Sequence, residues 1–293
     1  MNSTKADNMA VMDDTAAILN LSEDAFGDGV VTVKSTAATR AVSYTEIVNA
    51  QNCLRTLGFY EGSNTGYVSA DMEKSIMNFQ KVYGLEEDGD LTSATYNKIV
   101  EVNNFYNTTM NDSDMASLKN TLFGSSSISS SLKTTLTKNL ALTWTFLIKG
   151  MGLTEKQAAG AMGNIMQESY FCPTNANDET YPGIDNPNYD FATDTEPYSA
   201  YGLIQWKFST RRSDLATVAG NMELDVGDIN AQFACIRYES ETFYSNAWSN
   251  LRLSNTVESA TQIFKEQYEQ CYDDTFTDRK NYANTIYTAL KTE

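Results

Sequence analysis

The sequence predicts a mainly α-helical fold, in which a small three-helix bundle is joined by a linker to a larger helical domain. Apolar residues recur at helical spacing along most of the chain, and no stretch alternates apolar and polar residues as the strands of a sizeable sheet do. The length of 293 residues allows one large or two small domains, each with its own core. The 41% of hydrophobic and 20% of charged residues are typical of globular proteins.

Charge and composition exclude several classes of function. The formal net charge of −17 argues against nucleic acid and anionic membranes as partners. The chain has no histidine, which excludes Ser-His and Cys-His nucleophile pairs and His-ligated zinc hydrolases. No run of 18 apolar residues predicts a membrane span, and the first 30 residues lack the basic and apolar segments of a signal peptide. Because histidine is absent, any hydrolytic chemistry must use carboxylates.

The four cysteines predict neither a metal site nor a redox motif. Cys53, Cys172, Cys235 and Cys271 are too far apart for a zinc ribbon or a CxxC pair. Cys235 and Cys271 lie in two predicted helices and would pair if those helices pack together, whereas buried thiols are the favoured alternative. The acidic stretches have no EF-hand spacing, so no metal and no other cofactor is predicted. The oligomeric state is left open.

Changes in composition divide the chain into four parts. Residues 1–42 are acidic and rich in small residues, which predicts a loosely ordered arm. Residues 43–102 predict three short helices joined by glycine turns. Residues 103–131 are rich in Asn, Ser and Thr and predict a linker that is partly helical around 115–122. Residues 132–293 predict a succession of amphipathic helices.

The three predicted helices of the second part carry a resemblance. The pattern consists of Gln51-x-x-Leu54-x-x-Leu57-Gly58-Phe59-Tyr60, Gly62, Gly66, Phe79-Gln80, Gly84-Leu85, Asp88-Gly89 and Thr95. It resembles the three-helix peptidoglycan-binding domain over nearly the whole unit. The resemblance implies tethering to the glycan or peptide of the cell wall, without catalysis. A helical dimerisation or spacer module is the alternative.

One helix of the larger domain delivers the candidate catalytic acid. Thr154 and Gln157 form a capping box that starts this helix, and Glu168 lies near its end. At 100° per residue, Glu168 falls at the edge of the apolar face, about 80° from its middle. Partial dehydration there would raise the pKa of the carboxyl, as a general acid near neutral pH requires. The alternative is a solvated glutamate near a helix end.

A long loop after this helix has the composition of a carbohydrate site. It holds all four prolines of the chain together with several aromatic and acidic residues, and loops of this length inside a compact domain are usually functional. Aromatic rings can stack on pyranose rings, and carboxylates and amides can bond sugar hydroxyls. The loop ends in YGLIQW, where Gln205 could bond an acetamido group and Trp206 could stack on a sugar. A core position is the alternative for Trp206.

Several blocks of the second half carry a more specific resemblance. They are AAGAMGNIMQES, YGLIQW, Arg211-Arg212, Gln232-Phe233, Tyr238-Glu239, Ala260-x-x-Ile263-Phe264 and Tyr268-Glu269. They resemble the phage tail lysozyme family over residues 140–290, and the Glu-Ser pair with the later GLIQ is also similar to goose-type lysozymes and lytic transglycosylases. The resemblance implies a lysozyme-like α domain that cleaves the β-1,4 bond between N-acetylmuramic acid and N-acetylglucosamine. It also implies peptidoglycan as the partner and an extracellular or cell-wall location.

The same resemblance implies roles for individual residues. Glu168 is the implied catalytic acid. The residues implied or proposed to shape the cleft or contact sugar are Ser169, Tyr198, Tyr201, Gly202, Gln205 and Trp206. An inverting hydrolase also needs a base about 6.5–9.5 Å from the acid, for which the loop offers Asp190 and Asp194, with Asp185 third.

Three other functions stay open at the level of sequence. A lytic transglycosylase needs no base, because the 6-hydroxyl of the sugar itself attacks and leaves a 1,6-anhydro end. A catalytically inactive domain would leave a wall-binding or phage-tail structural protein. A peptidoglycan peptidase or amidase is disfavoured because the chain has no histidine.

Overall fold

The computed structural model describes residues 42–176, 191, 199–207 and 209–292. Their eleven α-helices are α1 (Tyr44–Thr56), α2 (Ala70–Tyr83), α3 (Ser93–Met110), α4 (Met115–Phe123), α5 (Ser130–Thr145), α6 (Glu155–Ser169), α7 (Ser209–Met222), α8 (Ile229–Glu241), α9 (Ser245–Leu253), α10 (Val257–Ile263) and α11 (Phe276–Leu290). Single π-helical turns, Phe146–Gly150 and Phe264–Tyr268, continue α5 and α10. Extended pairing in these residues is limited to one bridge, between Ala176 and Tyr201. The prediction of a mainly α-helical protein is confirmed.

The first three helices begin and end at residues suited to those positions. Ser43 closes a capping box with Glu46 at the start of α1, and Ser69 and Thr92 cap α2 and α3. Gly84 ends α2 in the left-handed conformation, at φ +67°, where glycine has no Cβ to clash. The apolar faces meet in a core that contains Ala50, Leu54, Leu57, Met72, Ile76, Phe79, Val82 and Ile99. Burial of such side chains supplies the main driving force for this bundle.

The three-helix bundle packs directly on later helices. Arg237 of α8 donates hydrogen bonds from Nε to the carbonyl oxygen of Val82, at 2.9 Å, and from Nη2 to that of Gly150. Asn78 Nδ2 donates to the carbonyl oxygen of Met222, at 3.1 Å, where α7 ends. All the described residues fall in one compact unit. The boundaries predicted between arm, bundle, linker and larger domain stay a prediction.

The segment 103–131, predicted to be a linker, is largely helical. It contains the end of α3, all of α4 and the start of α5. One side of α4 is buried through Met115, Leu118, Leu122 and Phe123. Because these side chains are removed from water, this segment contributes to the core around it.

Two glycines allow α6 to approach its neighbours closely. A Cβ atom at Gly160 would lie 2.5 Å from the Cβ of Ala260 on α10. A Cβ atom at Gly163 would lie 2.3 Å from the backbone oxygen of Arg279 and 2.6 Å from the Cβ of Ala283, both on α11. The sequence allowed either a helix or a glycan to approach at these positions. The structure shows helices there.

The substitution Gly163→Ala is expected to lower the free energy of unfolding by at least about 1–3 kcal/mol, because the added methyl meets backbone atoms that move only with α11. The matched control is Gly220→Ala in α7, where a Cβ atom has no neighbour within 4 Å. That change should stabilise the protein by up to about 0.5–1 kcal/mol, because alanine is the better helix former. Urea unfolding of both variants measures the two effects, and a fully stable Gly163→Ala protein would contradict the close packing.

Two further predictions from the sequence concern membranes and cysteines. None of the helices in the described ranges is long and apolar enough to cross a membrane. All four cysteines lie within the described residues and none forms a disulfide. Of the two alternatives for Cys235 and Cys271, the thiols are therefore found.

Candidate active site

Glu168 lies at a cleft of about 240 Å³. The cleft forms where the end of α6 meets the YGLIQW turn and the segment before α11, and it is lined by Glu168, Ile204, Gln205, Lys207, Arg211, Glu269, Gln270, Cys271 and Tyr272. The side chain of Glu168 is 8% exposed. A carboxyl that is nearly buried and still borders a cleft differs from the solvated glutamate of the alternative interpretation.

The carboxylate of Glu168 contacts a buried arginine of α11. Arg279, whose side chain is 1% exposed, donates from Nη2 to Glu168 Oε1 and from Nη1 to Glu269 Oε2, the latter at 2.9 Å. Its Nη1 also donates to Asn164 Oδ1 at 3.1 Å, and its Nε to Thr275 Oγ1 at 2.8 Å. Burial lowers the pKa of Arg279, but the charges of Glu269 and Glu168 raise that pKa by more than burial lowers it. The guanidinium therefore stays a cation. These bonds fix its orientation.

Glu269 is a second buried carboxyl at the same cleft. The π-helical turn Phe264–Tyr268 leads directly into it, and its side chain is 3% exposed. Burial, and then the charge of Glu168, raise the pKa of Glu269 well above its usual range, while Arg279 acts in the opposite direction. Its Oε2 accepts a hydrogen bond from Arg279, but Oε1 has no hydrogen-bond partner among the described residues. A carboxyl in this environment retains its proton at higher pH than an exposed one.

Lys265 fixes the segment between Glu269 and α11. Its Nζ donates to the carbonyl oxygens of Cys271, at 3.0 Å, and Asp273, at 2.7 Å, and lies 3.1 Å from Asp273 Oδ1. Burial raises the pKa of Asp273, but hydrogen bonds from Thr275 and Lys265 and the charge of Arg279 lower it by more. Asp273 is therefore an anion at neutral pH, 3.4 Å from Arg279 Nη2.

The YGLIQW turn forms another wall of the cleft and is held by buried hydrogen bonds. Gly202, at φ +83°, donates its N–H to the carbonyl oxygen of Asn175 at 2.8 Å. The N–H of Leu203 donates to Gln232 Oε1 at 2.9 Å, and the carbonyl oxygen of Leu203 accepts from Ser169 Oγ at 2.8 Å. Because Ser169 follows Glu168, this last bond ties the helix that carries the acid to the opposite wall.

The structure places the residues predicted to contact sugar in different environments. Gln205 lines the cleft, but its Nε2 donates to two backbone carbonyl oxygens, at 2.9 and 3.1 Å. Tyr201 is buried, with its ring centroid 5.1 Å from that of Phe191. Trp206 is fully buried, so it occupies the core position of its two alternatives. The predicted site residues Tyr198, Asp190 and Asp194, and the third candidate Asp185, lie outside the described residues.

Unusual backbone conformations collect around the cleft. Five described residues other than glycine have positive φ; Gln205 and Gln270 line the cleft, and Tyr170 and Phe171 come just after Glu168 and Ser169. Such conformations cost about 1–3 kcal/mol each and persist only where the surrounding structure enforces them, as it often does at active sites. Tyr170 and Phe171 follow the Glu-Ser pair directly, so the chain turns sharply just after the candidate acid.

A second buried ion pair supports the cleft from α7 and α8. Arg211 donates from Nε and Nη2 to the two carboxylate oxygens of Glu239, each at 2.7 Å. Tyr268 Oη donates to Glu239 Oε2 at 2.6 Å. The Arg211 guanidinium also lies 4.8 Å from the ring centroid of Tyr244 and 5.1 Å from that of Tyr268. Arg211 and Glu239 belong to separate blocks of the sequence resemblance, and the structure joins them.

The sequence identified Glu168 but not the charged residues around it. One signal was available for Arg279, which shares the buried face of α11 with Ala283, Ile286 and Leu290. A charged residue at helical spacing with core residues predicts a buried ion pair. Glu269 belongs to a block of the resemblance, but nothing in its spacing connects it with Glu168.

Comparison with known families gives two matches. The family described as phage tail lysozyme matches residues 138–290, and the family described as putative peptidoglycan binding domain matches residues 43–99. A comparison with curated proteins gives no match. Both matches confirm the resemblances seen in the sequence, and all the lining residues of the cleft fall within the first.

Proposed function

The chain belongs to the phage tail lysozyme family, and on this premise we propose that it cleaves the β-1,4 bond between N-acetylmuramic acid and N-acetylglucosamine in peptidoglycan. The observation that carries the proposal is Glu168, a nearly buried carboxyl at a cleft, oriented by an arginine. Carboxylic acids in such environments act as general acids in glycoside hydrolysis. In a chain without histidine, a carboxyl is also the side chain best suited to this step.

In the proposed reaction Glu168 donates its proton to the glycosidic oxygen while the bond from that oxygen to C1 breaks. The transition state has oxocarbenium-ion character, and general acid catalysis contributes typically about 10²–10⁴ in rate. Arg279 holds Oε1 of Glu168 and so limits rotation of the carboxyl. Ser169 holds the end of α6 against the YGLIQW turn, which keeps the acid at a constant distance from that wall.

The second step divides two versions of the reaction. For a hydrolase we propose Asp190 or Asp194 as the base that activates water, as the sequence suggested. The alternative is a lytic transglycosylase, in which the 6-hydroxyl of the sugar attacks and no base is needed. One observation favours it. Of the other two carboxyls that contact Arg279, Glu269 has a raised pKa and so retains its proton to higher pH, and Asp273 is paired with Lys265. Neither is suited to be the base that activates water.

The first three helices supply the proposed attachment to the wall. Their match to a peptidoglycan-binding family supports peptidoglycan as the partner and an extracellular or wall-associated site of action. Attachment raises the local concentration of substrate at a weakly binding cleft. Because Arg237 of α8 bonds to Val82 in α2, the three helices proposed to bind the wall and the cleft belong to one packed body.

Mass spectrometry of the soluble products from purified peptidoglycan tests the proposal, with digests by the wild type and by Glu168→Gln. Reducing N-acetylmuramic acid ends released by the wild type and not by the variant would support a muramidase with Glu168 as its acid. Products with 1,6-anhydro ends would identify the transglycosylase, and cleaved peptide bonds an amidase or peptidase. If neither protein released fragments but both sedimented with the wall, a structural or wall-binding protein would replace the enzyme.

A further inference from the structure

We propose that Glu269 controls the protonation of Glu168, with which it shares a single proton across the Arg279 guanidinium. The inference rests on the proposed function, since it assigns Glu269 as a positioning residue for the acid of that reaction. It concerns two carboxyls that line the same cleft, one at the end of α6 and one just before the segment that leads to α11.

The geometry joins the two carboxyls through one cation. Arg279 offers Nη2 to Glu168 and Nη1 to Glu269, so each carboxyl has its own nitrogen of the same guanidinium. All three side chains are at least nine-tenths buried, with exposures of 8% for Glu168, 3% for Glu269 and 1% for Arg279. Charges in such a place are poorly screened by water, so each strongly affects the other two.

The other charged groups near the cleft are arranged in pairs. Lys265 is paired with Asp273. Arg211 is paired with Glu239 and in addition favours the charged form of Glu269. Lys207 also lines the cleft, on the side of α7.

Arg279 contacts both Glu168 and Glu269, and Asp273 adds a further anion 3.4 Å from Arg279. Two buried carboxylates beside one guanidinium would leave an excess of negative charge. Like charges at one site prevent both carboxyls from ionising together, so one proton is retained near neutral pH. The unpartnered Oε1 of Glu269 is an atom that can carry this proton while Oε2 accepts from Arg279.

The shared proton gives the site two arrangements of equal charge. In one, Glu269 is protonated and Glu168 is ionised. In the other, the proton has moved from Glu269 to Glu168 through the cleft that both line, and Glu269 faces Arg279 as a carboxylate. The second arrangement is the one that can protonate a glycosidic oxygen. When Glu168 has given its proton to the leaving oxygen, the attacking hydroxyl or water releases a proton. That proton returns the two carboxyls to one shared proton.

The test is the pH dependence of kcat/KM for glycan release by Glu269→Gln. The amide has nearly the shape of the carboxyl, and its oxygen still accepts from Arg279 Nη1. Without the competing anion, the guanidinium stabilises ionised Glu168, since an opposite charge in contact favours the charged form by about 1–3 pH units. The high-pH limit of activity should therefore move down by at least about one unit, with activity near the wild-type value recovered at acidic pH. Glu269→Asp should restore the wild-type profile.

The control is Glu266→Gln, which removes an exposed carboxylate of the preceding π-helical turn whose partner is Gln262. Its profile should match the wild type. A Glu269→Gln protein whose activity falls equally at every pH would overturn the inference, because a purely structural role gives that result.

A second readout does not depend on activity. With ¹³C-labelled glutamate side chains, nuclear magnetic resonance follows the titration of Glu168 and Glu269 directly. The wild type should retain one proton between the two carboxyls at pH values where exposed glutamates are ionised, and Glu269→Gln should retain none on Glu168 there. Two carboxyls that both titrate at ordinary values would overturn the inference. If the wild type released no glycan, the proposed function would fail, and this titration alone would decide whether the proton is shared.

Discussion

The Glu168→Gln variant is expected to release glycan fragments at least about a thousandfold more slowly than the wild type, since general acids contribute about 10²–10⁴ in rate. A glutamine amide cannot supply a proton to the glycosidic oxygen. Its oxygen can still accept from Arg279 Nη2, so the orientation of the guanidinium should be retained. Initial rates of reducing-end release from purified peptidoglycan measure the effect.

The stability of this variant decides how the rate is interpreted. Arg279 keeps Glu269 and Asp273 as anionic or hydrogen-bonded partners, so the free energy of unfolding should change by no more than about 1 kcal/mol. Glu155→Gln is the matched control, because Glu155 is the other glutamate of α6 and lies in its first turn, bonded to Thr292. Its rate should equal that of the wild type. A Glu168→Gln protein that kept a tenth of the wild-type rate would remove Glu168 from the role of acid.

Most of the helical framework could be predicted because its signals are local. The capping boxes at Ser43 and Thr154 each involve residues three positions apart, and both are present in the structure. The position of Glu168 at the edge of a buried helix face follows from a period of 3.6 residues. Signals of this kind depend on neighbours within one or two turns, so a single sequence contains them.

The charged surroundings of Glu168 could not be predicted in the same way. Arg279 is 111 residues away along the chain, and periodicity shows that its face of α11 is buried without showing which helix covers it. The close contact depends on Gly163, which admits the backbone of α11 at Arg279 itself. The sequence showed that this glycine allows a close neighbour, but the identity of that neighbour is a tertiary property.

The roles within the YGLIQW turn show a different limit. The pattern suggested sugar contacts for Gln205 and Trp206, whereas the structure uses the Gln205 amide in backbone bonds and buries the Trp206 ring. A short motif such as YGLIQW can contain residues that hold a turn as well as residues that contact a ligand, and the residue letters alone do not separate the two. Gly202 is an example, because its φ is positive and a Cβ atom there would lie 2.8 Å from the Gln232 side chain, which leaves no room for a larger residue.

Replacement of Arg279 by methionine is expected to lower the free energy of unfolding by about 3–5 kcal/mol at neutral pH, because it leaves Glu168 and Glu269 buried without their cation. For a chain of this size, that corresponds to a melting temperature lower by about 6–20 °C. Lys280→Met is the matched control at the next position of α11. Its exposed pair with Glu258 should be worth no more than about 1 kcal/mol.

The pH dependence separates lost charge pairing from lost packing in Arg279→Met. Burial raises the pKa of Glu269 in the folded protein and Arg279 opposes that rise, so the variant raises it further. A carboxyl with a raised folded pKa supports the folded state below its ordinary value, near 4.3, and this support is lost as pH rises. The deficit of the variant relative to the wild type should therefore grow between about pH 4.5 and 7.5 in urea unfolding. An equal deficit at both pH values would mean that Arg279 stabilises the fold by packing alone, and that the three side chains do not act as one charged unit.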